Sequence, residues 1–297
     1  MLMTQDREQV VSSGLSEGNA FTIAASAKAF EVLSSNLYQN KILAVIREIT
    51  CNAVDAHTVV DRPISDIQVH LPTYAEPYFS VRDFGPGMST EEVRNLYTTY
   101  FRSTKDQDNT QIGGFGLGSK APFAVADQFT VTSWHARKKV TFICFKANGL
   151  PQIHVVGIEP CGSDDTGLEV KVAAKSAFGS VSVWLNEAKY LFRWWPELPT
   201  FNTPVLDDDS THHPDNVLME SPTWTIYQSL FRSYVIMGNV PYSLDLEAIP
   251  GLPEPVKQVL ARIFVAVRVP MGSVSISPSR ETLSYDATTS QYLVQVL

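Results

Sequence analysis

Glu48, Asn52 and Asp55 follow one another at i, i+4 and i+7. On a helix that spacing puts all three side chains on one face. Asn52 can offer a neutral oxygen to a hard cation such as Mg²⁺, which prefers oxygen ligands and keeps several waters. Glu48 can accept a proton from a water attacking a phosphate. The same three residues would also make an ordinary solvated helix face.

Two further groups follow. Asp83-Phe84-Gly85-Pro86-Gly87 places a carboxylate at the end of a β-like run, with Met88 beside it. Its glycines permit close backbone approach. Such an aspartate can accept a hydrogen bond from an exocyclic amine; the run also suits a plain turn. Gly113-Gly114-Phe115-Gly116-Leu117-Gly118 precedes a short predicted helix. Glycine-rich backbone at a helix start presents free N–H groups to phosphate. The run is not a Walker loop, because Gly-Lys-Ser/Thr is missing. Lys105 and Lys120 flank it and are long enough to reach phosphate or simply to be solvated.

Helices are predicted over 26–36 and 40–57, the second carrying the apolar stripe Ile42, Val45, Ile46, Ile49 and Ala53. Strands are expected at 67–71 and 78–83. Ser89 and Glu92 have capping-box spacing and start a helix running to about Phe101. A polar loop, 102–111, leads to the glycine run, and Pro122 is tolerated in the helix that opens near Ser119. Four β-like runs cover 129–134, 140–146, 152–158 and 167–172. A helix at 181–195, a loop at 196–223, a helix at 255–264 and a strand at 265–269 complete the reading. Strands grouped after helices indicate an α+β layer. The expected domains are 1–175 and 176–297.

In this order the three groups resemble the GHKL ATPases. The resemblance covers about residues 20–175 and implies a Bergerat-type two-layer sandwich, a mixed sheet covered by helices, followed by a smaller α/β transducer-like domain. It implies that ATP and Mg²⁺ are bound. Glu48 would be the general base, Asn52 the metal ligand, and Asp55 part of the same motif. Asp83, Gly85, Gly87 and Met88 would form the adenine site. Residues 102–111, including Lys105, would be a lid, closing with Gly116 to Gly118 over the phosphates; Gly113, Gly114 and Phe115 belong to the same third motif, Ile112 to Gly118. The family often has a Gly-Thr pair late in the domain; here Leu168 follows Gly167, and Thr166 is the candidate substitute. Downstream, Ser279-Arg280-Glu281-Thr282-Leu283 resembles a loop of the ninety-kilodalton heat-shock chaperones that sends an arginine to the γ-phosphate. That makes Arg280 the candidate, with Lys257 the alternative by analogy with gyrase and MutL relatives. A surface Arg280 paired with Glu281 or Asp286 is the bland alternative.

Within the family, the runs around Arg47-Glu48, Asn52 to His57, Gly113 to Pro122 and Pro278 to Tyr285 look most like the phage RIIA-like proteins. None of the six histidines has the context of a phosphoacceptor. The expected activity is ATP hydrolysis driving a lid-closure and dimerisation switch during infection. A non-catalytic nucleotide-binding adaptor on a host protein is the alternative, with a DNA-mimicking inhibitor third. The net charge of −8 argues against a broad nucleic-acid surface. Three widely spaced cysteines suggest neither a disulfide framework nor a zinc site. No apolar run reaches the roughly 18–20 residues of a spanning helix, and Met1 to Val11 is too polar for a secretory signal. The expected setting is a cytoplasm, that of the host for a phage protein.

Overall fold

The computed structural model describes residues 26–99, 118–174, 180–203, 217–227 and 232–297. Helix α1 (Ala27–Glu31) runs into a wider helical turn, Val32–Asn36. Helix α2 (Lys41–Val59) follows, capped by Asn40, whose side chain accepts from the Leu43 amide at 3.1 Å. Thirteen of its nineteen residues are buried, so it is enclosed rather than lying on a surface. One face packs Ile42, Val45, Ile46 and Ile49 into the first core. The opposite side meets the second half of the chain.

The first sheet has the order β5-β4-β3-β6-β2-β1-β7. Its strands are β1 (Gln68–His70), β2 (Tyr78–Arg82), β3 (Gln128–His135), β4 (Lys138–Ala147), β5 (Leu150–Pro160), β6 (Gly167–Ala173) and β7 (Thr200–Phe201). All neighbours are antiparallel except β1 and β7. Strands β3, β4 and β5 are joined by two-residue turns, Ala136-Arg137 and Asn148-Gly149, with all four residues at positive φ. Such turns match the strands' own twist. Along β4, Val140, Phe142 and Cys144 are buried and alternate with less buried residues, the mark of a sheet covered on one face. Helix α3 (Thr90–Thr98) opens with both bonds of a Ser89/Glu92 capping box. It is shorter than expected within the described residues; Phe101 lies outside them.

Helix α4 (Val181–Phe192) contributes Trp184, Leu191 and Phe192 to the first core. It precedes β7, which falls in a stretch expected to be loop. Two residues are too few to show a period. Helix α4 and strand β7 both belong with the first sheet, so we propose that the lobes divide within 203–217 rather than at 175.

The second sheet has the order β11-β10-β12-β9-β8. It comprises β8 (Val217–Glu220), β9 (Trp224–Tyr227), β10 (Tyr234–Met237), β11 (Val240–Ser243) and β12 (Phe264–Val269), with β10 and β12 parallel. Helix α5 (Glu254–Leu260) precedes β12. A short hairpin of β13 (Ser275–Ile276) and β14 (Leu283–Ser284) then leads to α6 (Ala287–Val296). Val235, Val265, Val267 and Leu293 centre this core, and Cys51 of α2 sits among them. The whole is a mixed α+β architecture. No described helix is long and apolar enough to cross a membrane.

Candidate functional site

Glu48 is buried at 2% exposure between two arginines. Its Oε1 accepts from Arg47, at 3.1 Å from Nε and 3.0 Å from Nη2. Its Oε2 accepts from Arg280 Nη1 at 2.7 Å. Arg280 comes from the second lobe, on the loop between β13 and β14, and is itself 5% exposed. It is a buried partner of Glu48, not a surface residue. Burial opposes its charge, but the Glu48 carboxylate together with Tyr242, Cys51 and Asp55 outweighs that and raises its pKa. Lys257 instead pairs with Glu247 at 3.2 Å. Of the two candidates, Arg280 is the one the fold brings to Glu48.

Around this triad the chain is tightly built. A Cβ at Gly118 would collide with Glu48 Oε2, so only glycine lets this backbone lie against the carboxylate. Among the described residues, Ser119 Oγ and Arg280 Nε are buried without a hydrogen-bond partner. Asn52, one turn along from Glu48, is half-buried, and Asp55 is buried. Tyr38 lies near the triad; burial first, then Glu48, raises its pKa. Lys120 is directed elsewhere: its Nζ donates to the Leu96 and Thr99 carbonyls at 2.6 Å each, closing the end of α3. Burial pulls its pKa down to about 8.

The second corner is Asp83. It is 6% exposed, and its Oδ1 accepts from the Gly85 amide at 2.9 Å and the Leu168 amide at 3.2 Å. Burial raises its pKa to about 6, opposed by these backbone donors. Gly85 packs against Ala56 of α2, where a Cβ would sit 2.8 Å from the Ala56 Cβ. Gly87, at φ +68°, lies against the Trp134 carbonyl. Both glycines thus wedge the turn between α2 and β3. Met88 is pinned by Ser133, whose hydroxyl accepts from its amide at 2.9 Å and donates to its carbonyl at 2.7 Å.

Thr166 and Leu168 flank the segment facing Asp83. Thr166 presents its carbonyl to Arg82 Nη2 at 2.7 Å. The bond to the Asp83 carboxylate comes from the Leu168 backbone amide. Arg82 also donates to the Asp83 carbonyl and lies 3.7 Å from the Trp134 ring centroid. Lys105, Gly113, Gly114, Phe115, Gly116 and Leu117 lie outside the described residues.

One contributor, His57, was given no role by the sequence. His57 Nε2 accepts from the Phe84 amide at 2.9 Å, while its Nδ1 lies 2.8 Å from the Pro63 carbonyl. Accepting at Nε2 requires the Nδ1–H tautomer. Burial lowers its pKa, which keeps it neutral and suited to that role. His57 therefore ties the end of α2 to the Asp83 turn. Its position nine residues after Glu48 was the available clue.

Residues 40–152 match the family model for histidine kinase-, DNA gyrase B- and HSP90-like ATPases. The chain is 28% identical over 227 residues to the chaperone protein HtpG of Verminephrobacter eiseniae, covering 68% of this chain and 31% of that protein. It is 26% identical over 187 residues to HtpG of Wolinella succinogenes, covering 55% and 28%. With HtpG of Streptomyces coelicolor it shares 30% identity over 130 residues, covering 36% and 20%. The chain spans about a third or less of the length of these relatives. It carries, over residues 40–152, an ATPase domain of the GHKL superfamily, with further similarity to the HSP90-like chaperones.

Proposed function

We propose that the chain binds ATP between α2 and the Asp83 turn and hydrolyses it with Glu48 as general base. The observation that carries this is Glu48 on α2, gripped by an arginine from the second lobe at 2.7 Å. Both of its oxygens already accept from an arginine, and release of one arginine would open an oxygen fully to water. A γ-phosphate supplies a competing anion for Arg280. The arginine then stabilises charge on the transferring phosphoryl group, and Glu48 becomes a free base. Arg280 Nε, buried without a partner, leaves donor capacity for that exchange.

Asp83 would take the adenine amine, its Oδ1 being occupied by backbone donors. The donor set suits Mg²⁺, which binds through one or two protein oxygens plus substrate phosphates rather than an all-protein cage. Asn52 would hold it, and it would neutralise phosphate charge. The role of 102–111 as a lid belongs to this reading but falls largely on residues outside those described. ATP-dependent pairing of two copies, a cytoplasmic setting and a phage RIIA-like role during infection, with a host protein partner, complete the proposal. The last rests on the sequence runs alone.

The test is phosphate release by the full chain against Glu48→Gln. Loss of a general base predicts a fall of roughly 10²–10⁴-fold. Equal release by the variant would remove Glu48 from that role. One observation favours a second reading, a binding-only adaptor: both Glu48 oxygens are already held by arginines. Tight binding of a non-hydrolysable ATP analogue with no release by the unmodified chain would select it.

A further inference from the structure

Arg280 is brought to Glu48 by a loop whose neighbours also grip α2. The Glu281 carboxylate accepts from two backbone amides just ahead of the helix, Gln39 at 3.0 Å and Asn40 at 2.8 Å. One residue before Arg280, the Ser279 carbonyl accepts from Arg47 Nη2 at 2.8 Å. Three consecutive residues of the second lobe therefore hold α2 and its start: Ser279 at Arg47, Arg280 at Glu48, and Glu281 at Gln39 and the N-cap Asn40. Arg280 itself holds φ +57°, a left-handed conformation that is uncommon for a residue with a Cβ and needs support from its surroundings. A carboxylate at the positive end of a nineteen-residue helix is also favoured by the helix dipole.

We propose that Glu281 is a positioning residue: it clips the second lobe to the start of α2 and so sets Arg280 against the γ-phosphate site. It acts through Arg280. The turnover consequence rests on the proposed ATP hydrolysis; the docking consequence does not.

The experiment uses the full chain with Cys161→Ser, which removes the most accessible cysteine. Two buried thiols remain as reporters. Cys51 is sealed by the second-lobe core, and Cys144 lies inside the first core. In Glu281→Ala without nucleotide, a thiol reagent should label Cys51 at least tenfold faster while Cys144 stays protected. Glu281→Gln, which keeps one acceptor oxygen, should lie between. In the same proteins kcat should fall about tenfold in the alanine variant with KM for ATP nearly unchanged, and recover in part in the glutamine variant. Labelling of both cysteines together would mean general unfolding and would overturn the clip, as would unchanged Cys51 labelling. Faster Cys51 labelling with kcat intact would overturn the link to Arg280. An unmodified chain that binds ATP but releases no phosphate would sink the hydrolysis reading, and the labelling result would still decide the clip.

Discussion

Two buried carboxylates mark the two corners of the site, and their surroundings are opposite. Asp83 is met by neutral backbone donors, the Gly85 and Leu168 amides. Glu48 is met by two guanidinium groups, one from each lobe. These donors and the nearby Arg82 charge do not repay the cost of burying the carboxylate, so the Asp83 pKa is raised to about 6. Cations repay much more of that cost, but only while they stay in place. Asp83 is therefore built to receive one more donor, whereas Glu48 is built to exchange a partner. Under the proposed hydrolysis, that division would let the site hold a base while its phosphate end is rearranged.

The largest effect should come from breaking the Glu48 corner. Glu48→Ala leaves Arg47 and Arg280 buried without their carboxylate. Removing one member of a buried ion pair typically costs about 3–5 kcal/mol. Denaturant unfolding of the nucleotide-free chain should show a loss in that range. A loss under 1 kcal/mol would mean that solvent already screens the triad.

The Asp83 corner should respond with the opposite sign. Its folded pKa lies above the ordinary value, 3.8, so the protonated form is the more stable buried form. The associated stability is fully present below about pH 4 and lost as the pH rises through about 6. A shift of about two units corresponds to roughly 3 kcal/mol. Asparagine cannot ionise, so the stability of Asp83→Asn relative to the unmodified chain should rise by about 3 kcal/mol between pH 4 and pH 7. Parallel unfolding curves across that window would show that Asp83 is not desolvated as described.

The contrast between the corners also explains what could be read from the chain before folding. The apolar stripe of α2, the Ser89/Glu92 box and the Asp83 turn are encoded within one or two turns of local sequence. Arg280 came from motif resemblance, because no local pattern links residues 232 positions apart. The contacts of Glu281 with Gln39 and Asn40, and of Arg47 with Ser279, had no local signal for the same physical reason: they are set by how the lobes dock. His57 is a donor and acceptor between two backbone segments, and one histidine in a helix announces neither role. Strand β7 is defined by its pairing with β1, not by its two residues.

A smaller effect should appear in base selection. An exocyclic amine needs an unprotonated acceptor, so ATP binding should weaken as the pH falls below about 6. Phosphate ionisation changes in the same range and must be separated out. Purine riboside triphosphate has the phosphates but lacks the amine. The preference for ATP over it should be about tenfold at pH 7.5, the worth of one hydrogen bond to a charged acceptor, and should shrink toward unity by pH 5. Calorimetric titration of both nucleotides measures it. A preference that holds constant with pH would place the amine on something other than Asp83.

The smallest effect tests whether the Glu48 corner is incomplete without a ligand. Ser119 follows the glycine that abuts Glu48, and its hydroxyl is buried without a partner. An unsatisfied buried hydroxyl costs about 1–3 kcal/mol, and removing it can be neutral or stabilising. Ser119→Ala should therefore raise the stability of the nucleotide-free chain by about 1 kcal/mol. If phosphate oxygens supply the missing partner, the serine is recompensed on binding and the alanine is not. The thermal shift produced by a non-hydrolysable ATP analogue should then be smaller in the variant. Melting curves with and without the analogue give both quantities. A variant that is less stable when empty would show that the hydroxyl already has a partner in solution. A variant with the full analogue-induced shift would show that the ligand does not use it.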